Sequence, residues 1–84
     1  MVLFESHKLA LRKMGYTDRD IAEIGLALDA GEFTFKNEDG RRISENTAKT
    51  KLGVCAFLSG IGRAAFHRTA VRGDEGASIM IERK

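Results

Sequence analysis

Residues 40–72, GRRISENTAKTKLGVCAFLSGIGRAAFHRTAVR, decide the architecture, because both a helical and an extended pattern pass through them. Ser44 is a capping residue ahead of a polar first turn, and Ala48 and Leu52 follow four apart, so Glu45–Leu52 is predicted as a short helix ended by Gly53. Val54, Phe57 and Leu58 give a second helical face. Ser59, Gly60, Ile61 and Gly62 are expected to interrupt it, and residues 63–68 to resume it with Ile61, Ala65 and Phe66 inward. From Thr69 the pattern is extended.

Working toward the N-terminus, Asn37, Glu38, Asp39 and Gly40 form a turn cluster. On its two sides Phe33–Lys36 alternates as a strand, and residues 41–43 can return as its partner. Before that lie two helices. Residues 2–14 place Leu3, His7, Ala10, Leu11 and Met14 on one face, and Gly15 with Tyr16 suits the helix end. Thr17 is the expected cap of the next helix, Asp18–Asp29, which buries Ile21, Ile24 and Leu28 and is closed by Gly31. Toward the C-terminus, residues 73–76 read as a second turn, and Ile79 and Ile81 alternate with Ser78, Met80 and Glu82 in a closing strand.

Charge is distributed unevenly. Residues 40–72 carry seven basic side chains against the single acid Glu45, whereas residues 1–39 have five basic and eight acidic ones, and residues 73–84 two and three. The overall charge is only +2, so the asymmetry concerns partners rather than bulk behaviour. With 84 residues, 43% hydrophobic and 31% charged, the composition is that of one globular domain rather than a disordered chain. A chain this short buries roughly 60–65% of its unfolded surface, so a small core gains from association and a homo-oligomer is expected. The one cysteine, Cys55, cannot close an internal disulfide and sits in an apolar run, where it is expected as core filler. No secretory signal pattern and no membrane-length apolar run occur, so a cytoplasmic location and no membrane partner are expected.

Two resemblances bear on function. Residues 15–24, GYTDRDIAEI, resemble the first helix of bacterial helix-turn-helix regulators of the response-regulator type, and residues 43–52, ISENTAKTKL, resemble their recognition helix. The resemblance implies that Asn46, Thr47, Lys49 and Lys51 face DNA. In that family the two segments are nearly contiguous, whereas here residues 25–42 intervene, which breaks the compact turn that seats a recognition helix. Residues 57–67, FLSGIGRAAFH, resemble a stretch of small uncharacterised proteins of bacterial mobile elements, which implies a bacterial cytoplasmic origin and no assigned activity.

Ser59 followed by Gly60 and Gly62, with Arg63 nearby, is a candidate anion site, provided that a helix begins there with open N–H groups. The glycines lack the strand and third glycine of a dinucleotide fingerprint, and close helix packing by Gly60, Gly62, Ala64 and Ala65 is the favoured reading over phosphate binding. His7, His67 and Cys55 do not have zinc-site spacing. A Cys55–His67 nucleophile pair needs the fold to bring them together; otherwise His67 is a helix-end residue. No enzyme activity and no cofactor are expected.

The predicted fold is α+β, with short helices packed on one or two small antiparallel β-hairpins in the order ααββααββ, as a single domain over residues 1–84. The predicted function is that of a non-enzymatic accessory protein contacting DNA or RNA, with Arg41, Arg42, Lys49, Lys51, Arg63 and Arg68 on phosphates and Asn46 and Thr47 beside them. The alternative is a protein–protein interaction module whose basic face docks an acidic partner, or its own acidic N-terminal half in a dimer.

Overall fold

A computed structural model of the chain describes residues 3–73 and 76–84. Its elements are α1 (Glu5–Lys13), α2 (Asp18–Asp29), β1 (Phe33–Lys36), β2 (Arg42–Ile43), α3 (Glu45–Leu52), α4 (Val54–Ala64), β3 (Thr69–Arg72) and β4 (Ser78–Arg83), so the fold is α+β in the expected order. The hairpins do not stay separate. They join through β1 and β4 into one antiparallel sheet of strand order β2-β1-β4-β3. The pairing follows from the alternation: Phe33 and Phe35 on β1 and Ile79 and Ile81 on β4 are buried, and the Phe35–Ile81 register sets all four on one face. An isolated hairpin buries too little to stand alone, and joining the two completes an apolar face.

The helices start where side-chain oxygens can take up free backbone donors. Thr17 Oγ1 accepts from Asp20 N at 3.1 Å, and Asp20 Oδ2 in turn accepts from Thr17 N at 3.2 Å. Ser44 Oγ accepts from Thr47 N at 3.1 Å. Helix α1 ends with Gly15 N donating to Arg12 O and Tyr16 N to Leu11 O, and α2 ends in the same way at Gly31 and Glu32. Helix α1 starts later than the sequence pattern proposes, and Met14 is its exposed cap rather than part of the buried face.

The largest departure lies in α4, which runs unbroken through Ser59–Gly62. Interior glycines each cost about 1 kcal/mol of helix propensity, so something must offset them. A Cβ on Gly60 would lie 2.6 Å from Val71 Cγ2 and 2.8 Å from Ile81 Cδ1, and one on Gly62 would lie 2.8 Å from the Tyr16 ring. The two glycines therefore admit the sheet on one side of α4 and the α1–α2 turn on the other. Helix α4 stops at Ala64, so the helical spacing that would turn Phe66 inward no longer applies, and Phe66 is 48% exposed. Cys55 is also exposed, on the first turn of α4, and not in the core. Of the second expected turn, Asp74 and Glu75 lie outside the described residues.

Helices α3 and α4 cover one face of the sheet, and α1 and α2 pack on the side of α4 away from the strands. Phe35 and Phe57 stack at the centre with ring centroids 5.8 Å apart. Phe57, Leu11, Ile24, Leu52, Leu58, Ile61, Ile79 and Ile81 are the largest fully buried side chains. Each contributes roughly 1.5–3 kcal/mol of burial. Arg83, opposite Phe33 in the register, closes one end of this core. Its guanidinium donates to Glu23 at 2.5 Å, Glu32 at 3.0 Å and the Ala65 carbonyl at 3.2 Å. Among the described residues no helix is long and apolar enough to cross a membrane.

Candidate nucleic-acid interface

Because side chains alternate across a strand, burying Phe33, Phe35, Ile79 and Ile81 turns Thr34, Lys36, Ser78, Met80 and Glu82 to the other face. The helices pack on the opposite face, as in other one-sided antiparallel sheets; on this one Arg42, Ala70 and Arg72 of the edge strands are exposed, and Thr34, Lys36, Ser78, Met80 and Glu82 of the central strands are half-buried. The register assembles its rows. Arg42 on β2 lies opposite Lys36 on β1, which lies opposite Met80 on β4, which lies opposite Ala70 on β3. One flanking row pairs Thr34 with Glu82, and the other pairs Ser78 with Arg72. Neighbouring strands are about 4.8 Å apart, so Lys36 and Arg42 are adjacent like charges.

Carboxylates at this face are already engaged. Glu82 forms an ion pair with Arg68, Nε to Oε1 3.2 Å, and Glu38 accepts a hydrogen bond from Ser78 N at 3.1 Å. Lys36, Arg41, Arg42 and Arg72 have no ion pair among the described residues. Four acids of the first half are paired elsewhere: Glu5 with Lys8, Asp18 with Arg12, and Glu23 and Glu32 with Arg83.

The residues proposed from sequence divide among three places. Arg42 is on the open face, and Arg41 sits in the turn before it, where Asn37 Oδ1 accepts its backbone N–H at 3.0 Å. Asn46, Thr47 and Lys51 lie on the exposed surface of α3, where with Thr50 they line a shallow depression, and Lys49 on the same helix is half-buried. Arg63 and Arg68 are at the far end of α4, beside a separate cleft. Residues 40–72 therefore do not present one positive surface.

Two of the sequence readings for sites are displaced. Ser59, Gly60 and Gly62 lie inside α4, with Gly60 and Gly62 buried, so no helix begins there and no open N–H cradle forms beside Arg63. Cys55 and His67 are separated by nearly the whole of α4, roughly 14 Å of helix axis from Cys55 to its end, which excludes a direct nucleophile pair. The segments resembling a helix-turn-helix are also apart: β1 and β2 separate α2 from α3, and α3 packs chiefly on α4, β1 and β4.

Sequence reasoning missed Lys36, which precedes the basic segment, and did not single out Arg72 from within it. The signal for Lys36 was available in the alternation of Phe33–Lys36, which sets it opposite the phenylalanines. Comparison with protein-family models, curated proteins and solved structures finds no match to this chain, so its function rests on the chemistry of its own surface.

Proposed function

We propose that the protein is a non-enzymatic accessory that contacts the phosphate backbone of nucleic acid through the open face of its sheet. The observation that carries this reading is Lys36 facing Arg42 across β1 and β2, with no carboxylate answering either among the described residues. Like charges directly opposite each other destabilise a sheet, and a phosphate bound between them relieves that cost. Arg72 extends the cationic surface to the far edge strand, and Ser78 adds a hydroxyl donor, whereas the Thr34 hydroxyl donates to the Glu82 carbonyl at 3.4 Å. Among the described residues the face has no aromatic side chain and so offers no stacking platform for bases. Contacts confined to phosphates position a protein without reading sequence.

The test is fluorescence anisotropy with labelled duplex and single-stranded DNA across a salt series. Replacing Lys36, Arg42 and Arg72 together by Ala is expected to weaken binding for every sequence and to reduce the salt slope by about 2–3. Replacing Asn46 and Thr47 by Ala is expected to leave binding unchanged, which separates the sheet from α3. Absence of binding at low salt, or binding indifferent to the triple substitution, overturns the reading. Binding of an acidic peptide with the same dependence on these three residues, and no nucleic acid binding, assigns the face to a protein partner instead.

A further inference from the structure

A cleft of about 560 Å³ opens where the α1–α2 turn meets the end of α4, with Tyr16, Asp20, Arg63, Phe66, His67 and Arg68 in its walls. Its size falls within the roughly 300–1,000 Å³ of small-molecule sites. The close approach at Gly62 fixes one wall: the Tyr16 ring lies against the bare backbone of α4, which places its hydroxyl beside Arg63. Burial raises the pKa of that hydroxyl, while the charge of Arg63 acts against the rise and that of Asp20 adds to it, so both charges are felt at the same oxygen.

The polar groups of the cleft are unequally occupied. Arg68 is held by Glu82, and Asp20 spends one carboxylate oxygen on Thr17 N. The Arg63 guanidinium, the His67 imidazole and the Tyr16 hydroxyl make no hydrogen bond or ion pair among the described residues. Three donors line the cleft with no described protein acceptor on them, beside the one carboxylate of Asp20; together they are suited to an anion, and the planar guanidinium fork matches two oxygens of a phosphate. Phe66 supplies the other half of the recognition. It is 48% exposed on the cleft wall, an aromatic face of the kind on which a nucleobase stacks. The free oxygen of Asp20 can accept from a ribose hydroxyl or a base amino group.

We infer that this cleft binds a phosphomonoester carried beside a nucleobase, with the phosphate on Arg63, His67 and Tyr16 and the base on Phe66. The group comes either from a free nucleoside monophosphate or from the phosphorylated end of a strand. Arg68 borders the cleft while its partner Glu82 belongs to the open sheet face, so a strand lying on that face has a short route to the cleft. The site does not depend on the sheet reading, since none of its three free donors lies on that face.

Calorimetric titration of the full chain tests it with adenosine 5′-monophosphate, adenosine and inorganic phosphate, and with one oligonucleotide bearing either a 5′-phosphate or a 5′-hydroxyl. The nucleotide, the phosphorylated strand or both are expected to bind about tenfold or more tightly than inorganic phosphate and than their unphosphorylated counterparts. Tight binding of the nucleotide alone identifies the free source, and a preference for the phosphorylated strand alone identifies the strand end. Arg63→Gln should weaken that binding about tenfold, Arg63→Lys less, and Phe66→Ala should lower the preference over inorganic phosphate. Both residues are exposed, and circular dichroism melts verify that the variants fold. Lys36→Ala with Arg42→Ala should leave nucleotide binding unchanged even if it abolishes duplex binding, which keeps the two sites distinguishable. Equal binding of inorganic phosphate and both phosphorylated probes, no binding of either probe at millimolar concentration, or indifference to Arg63→Gln overturns the inference.

Discussion

The two faces of the sheet are built from alternating residues of the same strands, yet they answer to opposite forces. The covered face holds Phe33, Phe35, Ile79 and Ile81, all less than a tenth exposed, and receives Phe57 and Ile61 from α4. The open face holds Lys36 and Arg42 side by side, with Met80 and Ala70 continuing the row. Van der Waals contact and water exclusion stabilise the first face, whereas the second carries a repulsion that the fold itself does not need. A residue that weakens the sheet without filling the core is better accounted for by what the face meets than by stability.

The sharpest way to break this comparison is to remove matter from each side. Phe57→Ala is expected to destabilise the protein by about 3–5 kcal/mol, because the cavity lies under Phe35 at the centre of the core. Met80→Ala on the other face, where the side chain is only half-buried, should cost about 1 kcal/mol. Urea unfolding measures both, and comparable losses would show that the open face is packed after all.

A smaller effect carries a more telling sign. Arg42→Glu turns the like-charge pair with Lys36 into an attractive one, so it should stabilise the protein by about 0.2–1 kcal/mol. The same substitution should reduce affinity for DNA. A variant that gains stability while losing binding separates the two roles, and one that loses both ties Arg42 to the fold.

The smallest expected effect concerns the α1–α2 turn. Burial raises the Tyr16 pKa above its unfolded value near 10, so in the window between the two the unfolded chain has released a proton that the folded chain keeps. Stability should therefore fall as pH rises above about 10, and Tyr16→Phe should remove that part of the decline. Tyr16 is the only tyrosine and no tryptophan is present, so tyrosinate absorbance follows this one group directly.

What local chemistry could specify was legible in the chain. The caps at Thr17 and Ser44, the alternation of Phe33–Lys36, and the Asn37 side chain accepting from Asp39 N and Arg41 N in the turn all depend on residues within four positions of one another. They settle the identity and order of the elements and most of the core. The continuity of α4 was not legible. Its glycines look like an interruption until Val71, Ile81 and Tyr16, distant in sequence, come to occupy the space that those glycines leave. The misplacement of Phe66 follows from the same error, since its inward position assumed a helix that continued past Ala64.

Surface chemistry depended still more on remote pairing. Composition marks residues 40–72 as basic, but the chain wraps those cations around the sheet edge, α3 and the end of α4. The row from Arg42 to Ala70 requires three strand registers, and the cleft requires residues 15–20 to meet residues 63–69. Hydrogen bonds within a turn or a cap act over a few residues, and so they can be read directly from the order of amino acids. Which cations share a surface is decided by the packing of α4 between the sheet and the first two helices, because burying the apolar stripe of α4 fixes where every exposed group must go.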